Sequence, residues 1–104
     1  MKTDRELIEL AAKAAGIKNG RWLGDGTYWV GGYAGGGAWN PLTDDGDALR
    51  LAIRLCMVVR TFRYSSDAQP LGFGASVTEQ NGDDPYAATR RAIVKAAADI
   101  GEQK

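Results

Sequence analysis

The chain has 104 residues, 44% of them hydrophobic and 25% charged, and its thirteen basic residues balance its thirteen acidic ones. With no net charge it carries no global field toward nucleic acid or anionic lipid, which argues against a general nucleic-acid binder. No apolar run approaches the roughly 20 residues that span a bilayer, and residues 1–6 lack the apolar core of a signal peptide. A single cysteine, Cys56, forms no internal disulfide, as suits a reducing compartment.

One domain is expected over residues 1–104. Thr3 and Glu6 have the spacing of a capping box and predict a first helix over residues 4–15. It turns Leu7, Ile8, Ala11, Ala14 and Ala15 inward, with Glu9 and Lys13 as an exposed i, i+4 pair. Gly16 ends it in a left-handed conformation. Two aromatic runs flank Gly24-Asp25-Gly26 and predict a hairpin. Residues 31–37 hold five glycines and read as a loop.

Thr43, Asp44 and Asp45 offer oxygens to the open N–H groups of a second helix. Ala48, Leu51, Ala52 and Leu55 form its buried stripe, with Asp47, Arg50 and Arg54 on the other side. Residues 56–64 read as a strand, 65–70 as a connection and 71–79 as a second, cleanly alternating strand. Asp84 and Pro85 then open a last helix over residues 86–100, which Gly101 stops. The expected class is α+β, a small layered sandwich in the order α-β-β-α-β-β-α around a mostly antiparallel four-stranded sheet.

Three segments together resemble a known family. They are Glu6-Leu7-Ile8-Glu9-Leu10-Ala11, Trp39-Asn40-Pro41-Leu42 running on through Asp44-Asp45-Gly46-Asp47-Ala48-Leu49-Arg50, and Asp84-Pro85-Tyr86-Ala87-Ala88-Thr89-Arg90-Arg91. The family is the phage α/β/α sandwich domain, found in short phage and prophage proteins. The resemblance implies a virus-encoded accessory protein made in the host bacterial cytoplasm. It brings no catalytic residues and no cofactor.

The chemistry available is limited. Histidine is absent, which removes the commonest general base and metal ligand. Cys56, between Leu55 and Met57, is expected to be a buried, inert thiol. Asp44, Asp45 and Asp47 are more simply helix caps than cation ligands, since no glutamate closes a calcium loop, so no metal is expected. The glycine run lacks the Lys-Ser or Lys-Thr of a phosphate loop.

Trp22, Tyr28, Trp29, Tyr33 and Trp39 crowd into eighteen positions. Core packing is the favoured reading for most of them. The remainder, beside arginines, suits base stacking and phosphate contact. The expected function is non-enzymatic binding of a small nucleotide, as an anti-defence protein that sequesters an immune signal. Its ligand-binding residues would be Trp22, Tyr28, Tyr33, Trp39, Asn40, Arg50 and Arg60. The alternative is a protein-interaction module that inhibits or redirects a host factor, with a homo-oligomer left open. A nucleotide hydrolase is the least favoured.

Overall fold

The computed structural model describes residues 2–31, 37–70 and 76–103. Helix α1, Asp4–Ala14, opens with the expected capping box: the Glu6 backbone N–H donates to Thr3 Oγ1 and the Thr3 N–H to Glu6 Oε1. Gly16 follows it with φ of +80°. Strands β1, Arg21–Trp22, and β2, Tyr28–Val30, form the expected hairpin, and β3, Gly37–Ala38, adds a third antiparallel strand.

Helix α2, Asp45–Arg54, starts at Asp44, whose carboxylate accepts the Asp47 N–H at 2.8 Å. Strands β4, Met57–Thr61, β5, Ser65–Pro70, and β6, Val77–Gln80, make a second antiparallel sheet in that order. Helix α3, Pro85–Glu102, closes the chain, capped by Asp84, which receives the N–H groups of Tyr86 and Ala87.

The class is α+β, but the described residues form two three-stranded sheets in the order α-β-β-β-α-β-β-β-α, not one four-stranded sheet. The difference comes from β3, whose Gly37 falls in the stretch expected to be a loop, and above all from β5. Its sequence, Ser-Ser-Asp-Ala-Gln-Pro, has no β-branched or aromatic residue and reads as a connection. It is nonetheless the central strand of its sheet, with Ser66 and Ala68 buried under α3. Packing against neighbours outranks intrinsic strand preference here. Of the strand expected over residues 71–79, the first half lies outside the described residues.

Helix α3 is the hub, resting on all three strands of the second sheet while α1 and α2 pack against it. Ala88, Ala92, Ile93, Val94, Ala96, Ala97, Ala98 and Ile100 are all buried, so it is covered around most of its circumference. Gly101 does not stop it; the residue is inside the helix and buried against α1. The register of the second sheet puts Val59, Ala68 and Val77 on the helix side, and Arg60, Asp67 and Thr78 on the outer side.

Two further expectations change. Asp47 is buried rather than outward, because it accepts the Asn40 N–H at 2.9 Å and an Arg50 N–H at 2.8 Å. Cys56 is exposed rather than buried, and it has φ of +54°. The step from α2 into β4 needs a left-handed residue there, a position usually taken by glycine.

Candidate functional site

Of the aromatic residues expected to hold a ligand, Trp22, Tyr28 and Trp39 stack inward. Trp22 and Tyr28 face each other across β1 and β2 with ring centroids 4.8 Å apart, and Tyr28 lies 6.3 Å from Trp39. Trp22 is roofed by α1: its indole N–H donates to Glu9 Oε2 at 2.9 Å, and Arg5 lies 4.2 Å above its ring. Glu9 is thereby engaged by Trp22. Trp39 is only 2% exposed, and Tyr28 is buried beside it. Gly20 makes room for the Tyr28 ring, since a Cβ there would fall 2.2 Å from the hydroxyl oxygen. Tyr33 lies outside the described residues.

The polar members of the expected site are engaged as well. The Asn40 N–H goes to Asp47, and its side-chain oxygen receives the Leu42 N–H at 3.0 Å. Arg50 pairs with Asp47 at 2.8 Å and approaches Asp44 at 3.9 Å. Arg60 is on the other sheet, where both Asp67 oxygens receive it at 2.9 and 3.1 Å. That bidentate contact raises the Arg60 pKa. The structure therefore brings Trp22, Tyr28, Trp39, Asn40 and Arg50 into one region, mostly as core and counter-ions, and leaves Arg60 elsewhere. Asp44, Asp45 and Asp47 act as a cap, a partner of Arg90 at 2.5 Å and a buried acceptor. Among the described residues no cluster of acids or Cys has the arrangement of a metal site.

Burial pushes the Tyr28 phenol above its ordinary 10.0, and the Glu9 carboxylate adds to the shift. A phenol raised in the folded state contributes stability that is intact below the unfolded value and is lost as pH rises through the folded one. Wild type is therefore expected to lose stability above pH 10.0 more steeply than Tyr28→Phe. Chemical denaturation along an alkaline pH series measures this, and equal slopes would refute it.

A different surface is open. Phe62, 55% exposed, and Tyr64, 74% exposed, stand at the tip of the β4–β5 hairpin. The tip is rigidly braced. The Asn81 side-chain amide donates to the carbonyls of Phe62 at 2.8 Å and Arg63 at 3.1 Å, and its N–H to that of Tyr64 at 2.9 Å. Ser66 Oγ donates to Asn81 Oδ1, and Thr89 Oγ1 lies 2.8 Å from Ser66 Oγ, so the brace runs into α3.

Other large apolar side chains are exposed as well: Leu49 and Ile53 on α2, at 60% and 66%, Tyr86 on α3, and Val58 on the outer face of β4. An apolar groove of about 310 Å³ lies between α2, β4 and α3, lined by Leu49, Val59, Thr61, Tyr86 and Ile93. The sequence held one sign of this face. Leu49 and Ile53 are four apart on the side of α2 opposite the buried stripe, so the helix is apolar on two sides. No helix among the described residues is long and apolar enough to cross a membrane.

No family model matches the chain, and no curated protein and no solved structure matches it either.

Proposed function

We propose that this protein is a non-enzymatic interaction module that docks onto another protein and inhibits or redirects it, the partner being a host factor if the phage resemblance holds. The observation that carries this reading is the braced hairpin tip. Two large aromatics are exposed on a turn whose backbone Asn81 locks, and such aromatics are the kind of anchor that dominates binding energy at protein interfaces. The pre-ordered turn backbone spares the entropic cost of fixing that loop on contact. Arg60 on the same outer face, already oriented by Asp67, adds a side chain enriched at such interfaces.

Nucleotide sequestration draws less support from the geometry. It needs a flat ring surface and available cationic groups on one open face. Among the described members of the expected site, the rings point into the core and the arginines already face carboxylates.

The experiment is an affinity capture from bacterial lysate with wild type and with the double variant Phe62→Ala, Tyr64→Ala. Wild type should recover a host protein in stoichiometric amount. Each anchor is worth about 2 kcal/mol, so the double variant should weaken binding by well over tenfold. Both side chains are exposed, so its melting temperature should be close to that of wild type. A wild type that recovers nothing but gives binding heat with a cyclic or ADP-ribose-type nucleotide would replace this reading with sequestration.

A further inference from the structure

The outer edge of β4 has the features of a strand built to pair with a second copy of itself. We propose that the chain forms a two-fold dimer by antiparallel pairing of β4 with β4 of a second copy, centred on Val59. Strands β4, β5 and β6 of the two copies then make one continuous six-stranded sheet. This surface differs from the hairpin tip and shares only Arg60 with the docking reading, which rests on Phe62 and Tyr64.

The backbone geometry comes first. The Phe62 N–H donates to the Ser65 carbonyl at 2.8 Å, so Phe62 and Ser65 are a hydrogen-bonded pair. Antiparallel pairs alternate, and the register therefore makes Arg60 with Asp67 and Val58 with Gln69 the next such pairs. Met57, Val59 and Thr61 consequently aim their N–H and C=O groups away from β5. Among the described residues no strand pairs with that side.

The two edges of this sheet are treated differently. On β6, Glu79 sits on the helix side with Lys95 at 2.8 Å and Arg91 at 4.0 Å, so three charged groups gather there where β4 carries a single pair. Strand β4 is Met-Val-Val-Arg-Thr, with no proline or lysine, and its one charge is neutralised by Asp67. An unguarded apolar edge on a chain of zero net charge meets no long-range repulsion from its own copy.

The strand is also self-complementary. A two-fold axis at Val59 sets Val59 against Val59, Met57 against Thr61 and Val58 against Arg60. On the outer face the Arg60 stem covers the exposed Val58 of the second copy. The two Arg60 head groups approach diagonally, each already held by its own Asp67. On the helix face, Met57 of the second copy stands beside Thr61, at the mouth of the groove between Leu49 and Tyr86. A flexible thioether suits a groove of that irregular lining. Leu49 and Ile53 of the two α2 helices flank the axis, which accounts for their exposure in a single chain.

Sedimentation across a wide concentration series should give a species of twice the 11.1 kDa chain mass. Val59→Pro removes an N–H that the sheet itself does not use, so it should yield a folded monomer. If that variant does not fold, Leu49→Asp with Ile53→Lys, both at exposed positions, should raise the dimer dissociation constant at least tenfold. In a Cys56→Ser background, Val59→Cys should cross-link on mild oxidation, because a hydrogen-bonded pair places its Cα atoms about 5.5 Å apart, within disulfide reach. Thr78→Cys on the β6 edge should not. A monomer at every concentration, a dimer indifferent to these changes, or cross-linking through position 78 would overturn the proposal. A monomer that still captures a partner through Phe62 and Tyr64 would overturn the dimer alone. A dimer that captures nothing would sink only the docking reading.

Discussion

Trp39→Ala is expected to destabilise the protein by about 3–5 kcal/mol, the usual cost of truncating a large buried aromatic. The indole is 2% exposed and belongs to the same buried cluster as Tyr28, Val30, Leu51 and Ala52. The Trp39 backbone N–H also donates to the Tyr28 carbonyl at 2.9 Å, which ties β2 to the approach of α2. Removing the ring leaves a cavity that these anchored neighbours can only partly fill. A domain of this size is stable by roughly 5–15 kcal/mol, so the variant would sit close to its unfolding threshold at ambient temperature. Urea denaturation measures the effect, as a lowered midpoint with an unchanged slope. A loss below about 1 kcal/mol would mean that the ring behaves as a surface group, and would return Trp39 to the role of ligand platform.

The contrast between Trp39 and Phe62 shows where sequence reasoning reached its limit. An aromatic residue reads the same in sequence whether it packs or protrudes, and the crowding before position 40 drew attention to Trp22, Tyr28 and Trp39, which pack inward. The exposed pair lies in a stretch of quite ordinary composition. Arginines misled in the same way. Arg60 looks available in sequence, but its carboxylate partner, Asp67, is supplied by the fold.

Local devices were legible because they close over three or four residues. The Thr3–Glu6 box, the Asp44 cap and the Asp84-Pro85 start all stand where spacing put them. The inward positions Ala48, Leu51 and Ala52 do as well. Features set by distant contacts were not legible. Strand β5 takes its place from α3 above it and from β4 and β6 beside it. Asp47 is drawn inward by the Asn40 N–H, seven positions earlier.

Gly101→Ala is the second large effect, and it tests the layer that spacing alone does not disclose. Gly101 reads as a helix stop, yet it is buried in the last turns of α3 against α1. A Cβ at this position would lie 2.1 Å from the Leu10 carbonyl oxygen and 2.8 Å from its carbonyl carbon. Both atoms are backbone, so no side-chain rotation relieves the clash and the two helices must separate. That contact is built from Ala11, Ala12, Ala14 and Ala15 against alanines of α3, where small side chains allow close approach. Alanine would favour the helix intrinsically by up to about 1 kcal/mol over glycine. Overpacking against fixed backbone typically costs about 1–3 kcal/mol, and moving a whole helix interface belongs at or above the top of that range. The expected net effect is a destabilisation of about 2 kcal/mol, with α1 loosened first. Hydrogen exchange should show faster exchange at Leu7, Ile8 and Ala11 than in β4 and β5 of the same variant. A stabilised Gly101→Ala would mean that α1 and α3 stand further apart than this geometry allows.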